Sequence, residues 1–170
     1  MDNRVETGDL CLHCGMCCTD AMFGWIPLVS DADRELMLRR GYDPERIGHD
    51  RFALPCDFLR GKACGIHPDR PASCEAFRCE VLVAAQDGTM PLDDALATVR
   101  RAVALLDGLR AALPAGETLS SMRKHWDQLD QSGMPTPPEQ AQARVAFYAF
   151  NLYLDRHFRP AGKGLVNRVE

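Results

Sequence analysis

The sequence predicts a mainly α fold in which an irregular, cysteine-rich N-terminal half packs with a C-terminal bundle of about three helices. Three observations carry this expectation. Apolar residues recur at helical spacing through much of residues 92–158. All eight cysteines of the 170-residue chain fall between Cys11 and Cys79. Residues 41–79 hold four prolines and four glycines and show no sustained apolar period.

The elements follow in chain order. Residues 1–10 are polar and acidic and read as a loose lead-in, with no apolar stretch of the kind a secretory signal needs. The loop "CLHCGMCC" comes next, then "MFGWIPLVS", which reads as a short strand or a buried connector. Ser30 is placed to N-cap "DADRELMLRR", whose first turn is acidic and last turn basic, with Gly41 at the C-cap. Residues 92–113 carry Leu92, Leu96, Val99, Val103, Leu106 and Leu113 on one amphipathic face, and Pro114 and Gly116 end it. A second helix is expected over "ETLSSMRKHWDQLDQ". "SGMPTPP" breaks it. A third runs from near Pro138 to about Phe158, with Ala143, Phe147, Phe150, Leu154 and Phe158 on its core face and Tyr148, Leu152 and Tyr153 widening the apolar surface. The chain therefore reads as one domain with a cysteine region over 1–88, a helical region over 89–160 and a tail over 161–170.

Composition narrows the function classes. Hydrophobic residues make up 46 % and charged residues 26 %, ordinary globular values for about one domain's length of chain. The formal charge of −4 does not suggest nucleic-acid binding through a basic surface. No apolar run approaches the ~20 residues that span a bilayer, so no membrane span is expected and the expected location is the cytoplasm. Thiols stay reduced there, and clustered cysteines bind metal or do redox chemistry more often than they form disulfides.

The spacing within the loop is informative. Cys11, Cys14 and Cys17 repeat every three residues, which brings three sulfurs to one side of a tight loop, as at the start of bacterial ferredoxin motifs. Gly15 relieves the backbone crowding that such wrapping creates. Cys18 should diverge from Cys17, as adjacent side chains do in regular structure, and so serve a second centre, another metal atom of a multinuclear one, or none. Cys56, Cys64, Cys74 and Cys79 are separated by eight, ten and five residues, which matches no single zinc-finger spacing. Eight thiols suffice for two four-thiolate centres or one shared cluster. A metal would then organise the stretch that has no apolar period. His13 and His67 lie among these cysteines and are expected to hydrogen-bond to sulfur rather than to ligate; His49, His125 and His157 read as surface or capping residues. Lys62, Arg70 and Arg78 lie where they could offset the charge of about −2 that four thiolates leave on Zn²⁺ or on a [4Fe–4S]²⁺ cluster.

"CLHCGMCC" followed by "CDFLRGKACGIHPDRPASCEAFRC" resembles the YkgJ-type cysteine-cluster family of zinc- or iron-chelating domains, whose motif is CxxCxxCC followed by a second cysteine segment. The resemblance covers about residues 11–80, and every cysteine falls in place. It implies Cys11, Cys14, Cys17, Cys18, Cys56, Cys64, Cys74 and Cys79 as the metal ligands. Arg70 and Pro71 match the family's RP pair, whereas His67 stands where an aromatic residue is expected. The helical half lies outside the resemblance.

Three readings remain open at this stage. One is an iron–sulfur protein, with a [4Fe–4S] cluster or clusters, in redox chemistry or in maturing or modifying a protein partner. The second is a structural Zn²⁺ module with the helical half as adaptor. The third is an accessory or catalytic protein of a peptide or protein modification system, since a module of this family also resembles the cysteine-rich part of a flagellin lysine methylase. No phosphate-binding glycine loop, nucleophile elbow or HExxH pair is present, so no catalytic residue is assigned.

Overall fold

The computed structural model describes residues 10–161. The expected lead-in before Leu10 and the expected tail beyond Ala161 lie outside the described residues. The fold is mainly α, and the chain divides into two compact units, residues 1–78 and residues 79–170.

In the first unit, residues 10–14 form one helical turn, and Met16–Cys18 a 3₁₀ turn. Strand β1 (Trp25–Pro27) pairs antiparallel with β2 (Arg51–Ala53), Ile26 opposite Phe52. Between them lies helix α1 (Asp31–Arg39). Ser30 Oγ accepts from the Asp33 N–H at 3.2 Å, and Gly41, at φ 91°, donates its N–H to the Leu38 carbonyl as the helix ends. The sequence's capping signals therefore mark both ends of α1. Two short strands, β3 (Leu59–Arg60) and β4 (Ala63–Cys64), form a hairpin. Helix α2 (Ala72–Ala76) closes the unit.

The expectation that metal, rather than apolar packing, organises the stretch after Gly41 is corrected here. Leu28, Met37, Tyr42, Ile47, Phe52, Leu54, Phe58 and Ile66 form a buried cluster. Tyr42 stacks edge-on with Phe52 and Phe58, ring centroids 5.4 and 5.6 Å apart, and each buried aromatic stabilises by roughly 1.5–3 kcal/mol. The cluster is invisible to periodicity because, Met37 of α1 apart, its members come singly from turns and short strands.

The second unit is helical. Helices α3 (Glu80–Gln86), α4 (Leu92–Ala112), α5 (Leu119–Ser132) and α6 (Ala141–His157) follow in order. Thr118 and Ser121 close a capping box at the start of α5. Helices α4 and α6 lie against each other. Ala95, Val99, Ala102, Val103, Leu106 and Leu109 of α4 are buried, as are Ala143, Phe147, Phe150 and Leu154 of α6. The expected α6 face is thus core, but Tyr148 and Leu152 stay exposed. Trp126 of α5 meets Phe147 at a centroid distance of 5.1 Å and donates its Nε1–H to Gln140 Oε1. Among the described residues, no helix is long and apolar enough to cross a membrane.

Candidate metal centre

Seven of the eight cysteines belong to the first unit, and none is in a disulfide. The loop that carries the first four is held by its own backbone. Gly15 donates to the Cys11 carbonyl at 3.1 Å, Cys18 to the Gly15 carbonyl at 3.0 Å, and Thr19 Oγ1 to the Met16 carbonyl at 2.8 Å. Met16 is fully buried and anchors the turn. Gly15 sits at φ 63°, and a Cβ there would stand 2.8 Å from the Lys62 carbonyl oxygen. The loop therefore lies directly against the β3–β4 hairpin, and only glycine fits the contact.

The second group reaches the loop from three elements. Cys56 donates its backbone N–H to the Cys18 carbonyl at 2.8 Å. Cys64 ends β4, opposite Leu59. Cys74 lies in α2, whose first N–H, from Ala72, donates to Asp33 Oδ1, and whose Ser73 hydroxyl donates to the Pro27 carbonyl at 2.6 Å. Helix α2 is thereby fixed to both α1 and β1. Cys56, Cys64 and Cys74 pack at the edge of the apolar cluster.

Four thiols, Cys17, Cys18, Cys56 and Cys74, are shifted by their neighbours, Cys64 among them. Cys17 and Cys18 share a side-chain hydrogen bond, which brings Cys17 down to about 7 and pushes Cys18 up. Burial and the nearby charges of Cys17, Cys56 and Cys64 add to the rise at Cys18. Burial, then the charges of Cys56, Cys17 and Cys64, push Cys74 up to about 12. Burial first, and Cys64 among the charges, raise Cys56. Cys18, Cys56 and Cys74 resist ionisation, and a bound cation would offset that cost.

The expected divergence of Cys17 and Cys18 is corrected. Their Cα atoms are ~3.8 Å apart, as for any trans pair, and their side chains come within hydrogen-bonding reach of each other. The two remain inequivalent, since one is lowered and the other raised. Cys11 is exposed and Cys14 half-buried, both on the helical turn 10–14. Cys79 N-caps α3 in the second unit, its carbonyl accepting from Val83 N–H at 2.9 Å. His67 points its Nε2 to the Arg70 guanidinium, and burial followed by that charge lowers its pKa.

The donor set fits a thiophilic metal: half-buried sulfurs and no carboxylate among the groups that perturb Cys17, Cys18 and Cys74 most. A polar atom left over beside them, the buried Arg70 Nε, makes no hydrogen bond. Among the described residues, no three His, Cys, Asp or Glu side chains stand around a common point at coordination distance. The Cys17 and Cys18 sulfurs are turned to each other rather than to such a point.

Sequence reasoning missed the buried apolar platform under Cys56, Cys64 and Cys74, and the role of Asp33 in starting α2. An aspartate thirty-nine residues before the first N–H of the helix it holds leaves no local signal.

Comparison with curated proteins and with solved structures gives no match. Residues 10–93 match the CxxCxxCC family, described as "Putative zinc- or iron-chelating domain". With the eight cysteines, that match supports metal binding. The matched segment, residues 10–93, belongs to the CxxCxxCC family of zinc- or iron-chelating domains.

Proposed function

We propose that this is an iron–sulfur protein of the reducing cytoplasm, its cluster held by thiolates drawn from Cys11, Cys14, Cys17, Cys18, Cys56, Cys64, Cys74 and Cys79. The observation that carries the reading is that Cys17, Cys56 and Cys64, from three separate stretches of chain, all act on Cys18 and on Cys74. Thiolate-only ligation is the habit of [4Fe–4S] clusters, and the C-x2-C-x2-C start supplies three ligands close together. The cluster would supply one-electron chemistry; the chain's residues would set its potential and its exposure.

A structural Zn²⁺ site is the second reading. It is favoured by the packing of Cys56, Cys64 and Cys74 on the apolar cluster, where a closed metal site would add folding energy.

The deciding experiment is anaerobic purification with metal and sulfide analysis and a visible spectrum. Iron with acid-labile sulfide and broad absorbance near ~400 nm, bleached by dithionite, is expected. A colourless zinc-loaded protein from the same preparation would sink the cluster reading and leave the structural one.

A further inference from the structure

Helix α6 has two faces. One is buried against α4. On the other, Val145, Tyr148 and Leu152 are exposed, at 69 %, 38 % and 49 %, and exposed Ala141 starts the row. The steps from Ala141 to Val145, Tyr148 and Leu152 are four, three and four residues. That alternation keeps one apolar stripe turned toward a partner helix, as in a coiled-coil seam. Single exposed apolar residues are ordinary on a protein surface, but a stripe along one face marks an interaction site.

The same face carries a hole. An open pocket of about 200 Å³ is lined by Ala141, Arg144, Val145 and Tyr148, together with Thr136. The four α6 residues stand at i, i+3, i+4 and i+7, the set that surrounds a side chain in knobs-into-holes packing. Arg144 brings no unanswered charge to the hole. Its guanidinium pairs with Asp130, donates to the Thr136 hydroxyl and lies 5.6 Å from the Tyr148 ring centroid.

Leu152, one turn beyond Tyr148, is the matching knob. It cannot enter a hole on its own helix, but it can enter the same hole on an antiparallel second copy. Seating it there, between Arg144 and Val145 of the second copy, places Tyr148 opposite its own counterpart. A two-fold axis through that point then seats the second Leu152 in the first pocket, so the contact closes as an isologous pair. The same register brings Arg156 beside Glu139 of the second copy, twice. Both residues are exposed, and neither forms an ion pair among the described residues. The two ends of the stripe thus carry opposite charges, which antiparallel pairing joins. A helix lying on a membrane would be basic along its polar face instead.

We propose that this face of α6 binds a second copy of the chain, antiparallel about a two-fold axis at Tyr148, with each Leu152 seated in the other copy's pocket. The contact is independent of the metal reading. Seventeen residues make a helix about 25 Å long and about 10 Å wide, a footprint of roughly 250 Å². A stable complex buries ~800 Å² on each partner, so the dimer is weak and forms at high chain concentration.

The test is analytical ultracentrifugation of the full chain from ~10 μM to ~1 mM, with reductant present so that exposed Cys11 cannot cross-link two copies. The mass of the wild type should rise toward that of a dimer. Leu152→Glu should weaken dimerisation at least ~10-fold, because it puts a carboxylate into an apolar pocket. Val29→Glu, at a residue 65 % exposed in the first unit, should match wild type. Arg156→Glu and Glu139→Arg should each weaken the dimer by about 3–10-fold, since each reverses one partner in two exposed pairs. The double variant should regain wild-type affinity, a result that unfolding of either single variant cannot imitate. Three results overturn the inference. The first is a chain still monomeric at ~1 mM, even one that binds lipid vesicles or another protein through α6. The second is a dimer that Leu152→Glu leaves intact. The third is a charge-swapped double variant that dimerises no better than its single variants.

Discussion

The backbone N–H of Cys56 donates to the carbonyl of Cys18 at 2.8 Å, so a main-chain hydrogen bond joins the two cysteine groups that the sequence separates by thirty-seven intervening residues. The join depends on how closely the loop can approach the rest of the unit. Gly15 sets that approach on one side, through its contact with Lys62, and the Cys18 carbonyl sets it on the other.

Gly15→Ala should therefore be far more costly than Gly61→Ala. Both glycines have positive φ, 63° and 61°. A Cβ at Gly61 meets nothing within 4 Å, whereas one at Gly15 stands 2.8 Å from a backbone oxygen. The strain common to both is about 1 kcal/mol; the clash at Gly15 adds to it and must push the cysteine loop off the hairpin. Urea denaturation and metal content per chain read the two effects. Equal midpoints and equal metal in the two variants would show that the loop has slack at this contact.

Cys18→Ser should remove more metal per chain than Cys11→Ser. The Cys18 sulfur is hydrogen-bonded to Cys17 and lies within the influence of Cys56 and Cys64, while Cys11 is exposed. A ligand lost from the middle of the set disturbs its neighbours, and one lost from the exposed rim is the more readily replaced by water. Metal analysis of the two variants, prepared side by side, decides the matter; a larger loss from Cys11→Ser would reverse this order of importance.

Tyr42 predicts an alkaline limit to stability. Its hydroxyl donates to the Ala53 carbonyl, and burial, ahead of the neighbouring charges, raises its pKa above the ordinary value of 10.0. A raised folded-state value means the neutral phenol is the form the fold stabilises. That stability is fully present below pH ~10, and drains away as pH rises from the unfolded toward the folded value. Tyr42→Phe should cost about 1 kcal/mol near neutral pH through the lost hydrogen bond, and should flatten the loss of stability above pH ~10. Parallel denaturation curves at pH 8 and pH ~11 for both proteins test it; an identical alkaline slope in the variant would assign the slope to other groups.

Much of the helical half is legible in sequence because its signals are local. The α6 face follows a 3.6-residue period, and in the first unit Ser30 and Gly41 mark the ends of α1 by capping chemistry. Glu80–Gln86 escaped, since seven residues give too short a window for a period. In the site, the resemblance of "CLHCGMCC" and the later cysteines to a chelating family was readable. The hydrogen bond between Cys17 and Cys18, the unpartnered Arg70 Nε and the anchoring of α2 through Asp33 and Pro27 were not. Each depends on contacts between residues far apart in sequence, or on side-chain torsions that spacing does not fix.

The buried pair in α6 and just after it should matter more than the exposed one. Arg159 binds Asp155 and donates to Asn151 Oδ1 at 3.1 Å, with side-chain exposures of 7 % and 4 % for Arg159 and Asp155. Arg144 binds Asp130, which is 53 % exposed. Removing one member of a buried pair strands the other and costs roughly 3–5 kcal/mol, whereas exposed pairs contribute ~0–1 kcal/mol. Arg159→Met should thus lower the thermal midpoint well below that of Arg144→Met. Matching midpoints would mean that water reaches Asp155.

Removing metal should damage the first unit before the second. The apolar cluster of the first unit has eight buried members, and a core of that size is marginal for a small fold unless something else supports it. A metal held by its cysteines would be that support, because binding that requires the folded arrangement adds directly to folding free energy. The second unit buries Ala95, Val99, Ala102, Val103, Leu106 and Leu109 of α4 and Ala143, Phe147, Phe150 and Leu154 of α6 without a cysteine among them. On chelation, hydrogen exchange should accelerate at the amides of Phe52, Cys56 and Cys74, while those of Val99 to Leu109 keep their protection and the helical circular dichroism is largely retained. Simultaneous loss of protection at Leu106 and at Cys56 would show instead that the metal holds both units in one cooperative fold.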